Sequence, residues 1–380
     1  MGQTLEDKRV FRAELHVHTP SSNCYKGPKT DDEFLRIIDT ACNNKIDILA
    51  ITDHNSICGY KRLCELKQKI NNEYSALISI NDSKEAKTKT KQLHQTLSAF
   101  DSVLLIPGVE FEVNNGIHLL VLFNPETPIS TIEQFLLDGG YDDKSFGKEN
   151  DAFSCWSIFD LYKESKKYDC IVIDAHSDSN KGILNTLGGQ PRVHAFIDPC
   201  LLGICYKNEK QKNNIENLIS QFSRKTPVAF LKSSDAHHIN EIGRDLSFFR
   251  LAEKNWSSFK DAFYNPEECV FTTYPETHSI LKKVASSGSC IFINNLGDDT
   301  KELLFKSICG LANSDGGFIF IGAESINSIN GLPVDKIESY ESVFKEIIER
   351  IPGLSDYRIN GYPIKDKSLV FVLRSLKVMI

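Results

Sequence analysis

No CxxC pair occurs among the eleven cysteines of this 380-residue chain. Neither a zinc ribbon nor a disulfide framework is therefore indicated, and an odd number of thiols fits a reducing compartment. No apolar run approaches the length of a membrane span, and residues 1–9 lack the apolar core of a signal peptide. No membrane partner and a cytoplasmic location are the expectations. There is no GxxxxGKS or GxxxxGKT sequence to support ATP hydrolysis, and no internal repeat. Positive charge is not in excess: a net charge of −7 argues against a surface coated for nucleic acid. A local basic groove stays open, because a whole-chain balance hides patches.

What the chain does have is strand and helix in alternation. Its length favours one large and one small domain. Arg12–Val17, Ile46–Thr52, Val103–Val109, Ile117–Phe123, Cys170–Asp174, Leu201–Tyr206 and Val228–Lys232 read as strands. After the first run, Thr30, Asp31, Asp32 and Glu33 read as a capping box. Phe34, Ile37, Ile38 and Ala41 then follow as an apolar stripe at helical spacing. Gln211–Arg224 reads as another helix. Residues 71–100 look like a surface helix or excursion and 139–150 like a polar loop, neither with visible chemistry. The alternation implies a mostly parallel sheet, and ligand-type residues at strand ends favour a closed βα barrel.

Nine metal-competent residues sit at or near the ends of these runs: His16, His18, Asp53, His54, Glu110, His118, His176, Asp235 and His237. His16 and His18, two apart on a strand, share a face. Imidazoles and carboxylates together are the donor set of a zinc, manganese or iron hydrolase site. A lone histidine is usually a surface or hydrogen-bonded core residue, and His94, His194 and His278 are read that way. An ordered set spread over the strands is not.

In that order, Leu15-His16-Val17-His18-Thr19, Ile51-Thr52-Asp53-His54-Asn55, Pro107-Gly108-Val109-Glu110, Asp174-Ala175-His176 and Ser234-Asp235-Ala236-His237 resemble the polymerase-and-histidinol-phosphatase (PHP) superfamily of metal-dependent phosphoesterases. The resemblance covers residues 11–240. It implies an α/β fold, a distorted (β/α)7 barrel, with two or three divalent metal ions (zinc, manganese or iron) at its C-terminal rim. One metal would be held by His16, His18, Glu110 and Asp235. Glu110 would bridge to a second, bound also by His118 and His176. A third would use His54, His237 and a residue of the loop after His18, where relatives carry Asp or His. Here Asn23 or Cys24 must serve, Cys24 being a soft ligand suited to zinc. Glu110, Asp235 and Asp53 are the catalytic candidates. Asp53 either holds a ligand histidine or handles a proton, or else it caps the following turn. Lys26, Lys181, Arg192 and Arg244, in or near loops after these strands, are candidates for binding substrate phosphate. The stretch from His237 to Arg244 resembles PHP domains fused to large ATPases, which implies an ATPase or defence-complex partner.

A boundary is expected near Thr272–Ser289, where Ser286-Ser287-Gly288-Ser289 reads as a flexible connection. This divides the chain into 1–275, a linker at 276–289, and 290–380. In the last part a helix capped at Asp299/Thr300 runs through Ala312, followed by a strand at Phe318–Gly322, a helix at Tyr340–Ile351 and a strand at Ser368–Leu373. Residues 302–322, with Ile329-Asn330-Gly331-Leu332-Pro333, resemble the Schlafen/AlbA-like nucleic-acid-binding domain, a smaller α/β (α+β) unit. Gly316 and Gly317 permit the turn and close helix–strand packing. Ile291–Asn295 replaces the acidic-and-lysine strand of that family, so its nuclease or ATP-binding residues are not carried over. An end just past a strand reads as a truncated form of something larger.

The function expected is hydrolysis of phosphoesters of nucleotides or nucleic-acid ends, DNA or RNA, by metal-activated hydroxide. Two alternatives stand beside it. One is a small-molecule phosphomonoesterase of the histidinol-phosphatase type. The other is a non-catalytic, metal-stabilised module in a defence or regulatory complex.

Overall fold

A computed structural model describes residues 9–78, 84–149, 154–207, 209–222, 224–314, 316–351, 357–365 and 368–375. The opening segment 1–8, residues 79–83, Asn150, Ser223, Asp315 and residues 376–380, each part of an expectation above, lie outside them. Two compact units divide the chain, Met1–Thr272 and Thr273–Ile380. No helix among the described residues is long and apolar enough to cross a membrane.

The first unit runs β1 (Arg9–Val17), α1 (Asp31–Asn43), β2 (Ile48–Ile51), α2 (Cys58–Ile78), α3 (Lys84–Ser102), β3 (Leu104–Glu112), β4 (His118–Phe123), α4 (Ile129–Asp138), α5 (Ile158–Ser165) and β5 (Cys170–Asp174). It continues with α6 (Ile183–Thr186), α7 (Gly189–Ile197), β6 (Leu201–Cys205), α8 (Glu209–Ser220), β7 (Ala229–Leu231), β8 (Ser247–Leu251), α9 (Trp256–Ala262), α10 (Pro266–Cys269) and β9 (Val270–Phe271). One sheet holds all nine strands in the order β7-β6-β5-β4-β3-β2-β1-β8-β9. Each of the seven strand-like runs of the sequence overlaps one of β1 to β7, β1 starting earlier and β3 ending later than its run. The excursion at 71–100 falls on α2 and α3, which pack together.

Among β1 to β7 only β4 runs against the rest, because it follows β3 through a hairpin rather than a helical crossover. Beyond β7 the chain returns to β1. The His18 amide donates to the Ala236 carbonyl at 2.9 Å, and the Ala236 amide to that of His16 at 3.1 Å. The sheet is thereby drawn round on itself at the rim where β1 ends. Strands β8 and β9, not foreseen from sequence, extend the sheet antiparallel beside the first half of β1.

Apolar residues fill both faces, which is why the strands read as nearly continuous hydrophobic runs. Leu120 and Leu122 of β4 join Ala13, Leu15, Ile48, Ile106 and Ile173 in one core. Leu119, Val121 and Phe123 face the other way, packing with Ile132 and Phe135 of α4 and Leu161 of α5.

One local expectation fails. Thr30 is the N-cap of α1, but its hydroxyl caps nothing. Glu33 instead accepts from the Tyr25 hydroxyl at 2.9 Å and from Arg36 at 2.9 Å, so no capping box forms.

In the second unit, α11 (Pro275–Ala285) occupies most of the stretch expected as a linker. Leu281 of that helix is fully buried among Phe320, Val370 and Val372, so 276–285 is packed helix and only the turn at 286–289 is left of the expected connection. Then come β10 (Cys290–Ile293), α12 (Asp298–Ala312), β11 (Gly317–Ile321), β12 (Ala323–Ser325), β13 (Ser328–Ile329), β14 (Leu332–Pro333), α13 (Ile337–Glu349), β15 (Tyr357–Lys365) and β16 (Ser368–Ser375). β10, β11, β16 and β14 form one sheet with β15 paired to β16, and β12 pairs with β13. A Cβ on Gly317 would meet the Ser289 carbonyl oxygen at 2.5 Å, so only glycine fits where helix gives way to strand.

Candidate metal centre

The sequence turns β1 toward the site by a register shift. Glu14 lies opposite Leu49, but Val17 lies opposite Ile51, so β1 carries one extra residue over that span. An insertion of this kind re-aims the side chains beyond it. His16 and His18 are both fully buried. β2 delivers Asp53 and His54 just past its end. β3 supplies Glu110 near its end, and because β4 is reversed, His118 at its start reaches the same rim. His176 follows β5, and Asp235 and His237 follow β7.

Two imidazole nitrogens lie between two carboxylate oxygens. His16 Nε2 and His18 Nε2 are 3.2 Å apart, and each stands 3.3 Å from Glu110 Oε2. Asp235 Oδ1 lies 3.4 Å from the first and 3.5 Å from the second. Donors bound at 2.0–2.1 Å around a tetrahedral zinc would stand roughly 3.3 Å from one another. The other oxygen of Glu110 is 2.8 Å from His118 Nδ1 and 2.8 Å from His176 Nε2. His54 Nδ1 approaches Glu110 Oε2 at 2.8 Å. Yet Glu110 Oε2, His16 Nδ1, His118 Nε2 and both nitrogens of His54 are buried without a hydrogen-bond partner among the described residues. Buried polar atoms left this way are costly in a folded protein. Bound cations would satisfy those that point into the cluster, so the donor set fits metal.

Charge distribution agrees. Burial disfavours ionised Glu110, but the imidazoles of His54, His16 and His118 outweigh it and hold its pKa well below the carboxylate range. Burial works against charged His18 too, yet the carboxylates of Asp235 and Glu110 carry it up to about 10. Burial lowers His16 and His118, and lowers His237 to about 4, leaving neutral imidazoles with lone pairs to offer.

A second group gathers His18, Cys24, His54 and His237, whose donor atoms all lie within 4.8 Å of one another. The structure thus brings Cys24, and not the exposed Asn23, to the third position. Asp235 has φ +54, a left-handed backbone that few non-glycine residues adopt.

Asp53 is placed differently from its catalytic expectation. One oxygen accepts from the Thr19 amide at 2.7 Å and the Ser22 hydroxyl at 2.6 Å, the other from the Thr19 hydroxyl at 2.8 Å. Ser22 in turn meets His18 Nδ1 at 3.2 Å. Asp53 therefore fixes the loop that carries Cys24 and orients His18; it is a positioning residue.

The substrate candidates scatter. Lys26 reaches the rim, its amide donating to the His237 carbonyl at 2.8 Å. Arg244 donates to the Ser234 carbonyl at 3.0 Å, beside the Asp235 turn. Arg192 is corrected outright: it sits on α7, bonded to the Leu187 carbonyl at 2.6 Å, in a groove shared with Val193, Asn214 and Leu218 and with none of the ligand residues.

Three residues were missed. Glu14, fully buried two residues before His16, accepts from the amides of Ser234 at 3.0 Å and Gly243 at 3.2 Å, and burial pushes it up to about 8. An acidic residue inside an apolar strand was the available signal. Glu149, in the loop read as inert, pairs with Lys181 and stands 3.7 Å from His54 Nε2. Lys207 lies 4.0 Å from Asp235 Oδ2. Nothing in the sequence marked either of these two.

No family model matches the chain, and no curated protein does. Among solved structures, a lesion-specific endonuclease from Pyrococcus furiosus, endonuclease Q, is similar at a TM-score of 0.47 and 14% identity, over 68% of this chain and 56% of its own. PsfC from Pseudomonas syringae is similar at 0.37 and 14%, over 64% of this chain and 82% of its own. A Bifidobacterium adolescentis protein assigned as a metal-dependent phosphoesterase gives 0.35 and 14%, over 59% and 87%. The chain thus spans little more than half of endonuclease Q. At these scores no activity is carried over from them.

Proposed function

We propose that the protein is a metal-dependent phosphoesterase acting on nucleotides or nucleic-acid ends. The observation that carries this reading is the convergence of His16 Nε2 and His18 Nε2 with Glu110 Oε2 and Asp235 Oδ1, each imidazole nitrogen standing within 3.5 Å of both carboxylate oxygens. Glu110 turns its second oxygen to His118 and His176, the arrangement of a carboxylate shared by two cations. Bound there, divalent cations would neutralise phosphoryl oxygens and lower the pKa of water toward neutrality. The chain's own part is to hold two anionic carboxylates and several neutral imidazoles in place. Lys26, Lys181 and Lys207 supply positive charge around the rim. The resemblance of residues 302–322 to a nucleic-acid-binding domain is what favours nucleic acid over a small phosphate ester.

The test is metal content per chain together with hydrolysis of p-nitrophenyl phosphate and an end-labelled oligonucleotide. Mononucleotide release is expected. Turnover of small sugar or amino-alcohol phosphates alone would give the phosphomonoesterase reading. Glu110→Gln is expected to lower turnover by about 100-fold or more with the fold retained. Bound metal without any hydrolysis would leave the non-catalytic module.

A further inference from the structure

Three lysines reach the rim from three different loops, and the backbone of each is tied near the ligands. Lys26 follows β1 and donates its amide to the His237 carbonyl at 2.8 Å. Lys181, between β5 and α6, accepts from the His118 amide at 2.9 Å. Lys207 follows β6, its amide bonded to Asp178 at 2.9 Å. A recess lined by His176, Asp178, Ser179, Tyr206, Lys207 and Asp235 joins this last lysine to the cluster.

The side chains of Lys26 and Lys207 are 66% and 68% exposed despite these tethers. Each of the three faces one carboxylate: Glu241 at 3.6 Å from Lys26, Glu149 beside Lys181, and Asp235 at 4.0 Å from Lys207. The exposed pairs of Lys26 and Lys207 hold weakly, while the pair of Lys181 and Glu149 is half-buried, its side chains 27% and 28% exposed. Glu241 is already engaged by the His237 amide at 2.8 Å, and Asp235 shared with a cation would attract Lys207 less.

A phosphomonoester offers its one phosphate to the metal cluster and leaves nothing for three further cations. A phosphodiester strand offers further phosphates beside the reacting one. The chain's net charge of −7 would repel such a strand unless cations were held locally. We propose that Lys26, Lys181 and Lys207 bind the phosphates flanking the scissile phosphate of a nucleic-acid strand. This rests on the reading that the reacting phosphate sits at the cluster.

Binding of a fluorescent single-stranded oligodeoxynucleotide to the metal-loaded full chain tests it, by anisotropy over a range of salt. Each Lys→Ala substitution is expected to flatten the slope of log affinity against log salt by about 0.7, and the triple substitution by about 2. A triple Lys→Arg chain keeps the parent slope, and metal per chain stays at the parent value in both. Three outcomes overturn the proposal: a parent chain that binds no oligonucleotide, a triple Lys→Ala chain with the parent slope, or a triple Lys→Arg chain that loses it equally. No turnover is needed, so hydrolysis of p-nitrophenyl phosphate by the parent chain judges the phosphoesterase reading separately.

Discussion

Glu14 and Ser234 are joined twice across a sequence separation of 220 residues, the serine's amide and hydroxyl both meeting the buried carboxyl group. The residue after Ser234 is Asp235, a proposed ligand, so a side chain on the first strand sets the position of a candidate donor more than 200 residues away. Partners that orient ligands matter nearly as much as the ligands themselves. Glu14→Ala is expected to weaken metal binding by about 10- to 100-fold, read by titration against a competing chelator. Glu14→Gln should lose less. An unaltered affinity in the alanine chain would refute the link.

Gly59 opens α2 beneath the contact between Asp53 and Thr19. A Cβ there would lie 2.0 Å from Asp53 Oδ2 and 2.3 Å from Thr19 Oγ1. Gly59→Ala should therefore displace the Asp53 carboxylate and cost about 1–3 kcal/mol of stability. Urea unfolding measures this, and a midpoint equal to that of the parent chain would contradict the account.

Cys24 shares its group with three imidazoles. Reconstitution with Co(II) should give a near-ultraviolet thiolate-to-metal absorption that Cys24→Ser abolishes while the visible bands of imidazole-bound cobalt remain. Persistence of the ultraviolet band in the serine chain would assign it to another thiol.

Proton competition sets the pH dependence of metal binding. His18, held up to about 10 by the Asp235 and Glu110 carboxylates against the cost of burial, carries a proton at neutral pH before metal arrives. A cation must displace that proton, so affinity should rise roughly tenfold per pH unit through the neutral range. The sign is fixed: acid weakens binding. Calorimetry in buffers of different ionisation enthalpy would count the protons released, and a count of zero would defeat the prediction.

Much of this centre could be read from residues alone. The strand-end histidines, Glu110 and the Asp235–His237 pair announce themselves because ligand chemistry needs scarce residue types at strand ends. Pairing direction does not announce itself: the apolar run of β4 is the same whether it runs with its neighbours or against them, so its reversal came from the short hairpin. Arg192 shows the limit of reasoning by proximity in sequence, since a helix start placed it away from the cluster. Asp53 was recognised as important but not for what it touches, because Thr19 and Ser22 carry no signal of their own. The helix at Pro275–Ala285 was hidden by its polar composition, with Leu281 as its fully buried anchor.

Asp235 must satisfy two demands at once, a left-handed backbone and an anionic oxygen for the cluster. Asparagine tolerates the first and lacks the charge; glutamate keeps the charge and is poorly suited to the turn. Random mutagenesis scored for function should therefore find almost no accepted replacement at this codon.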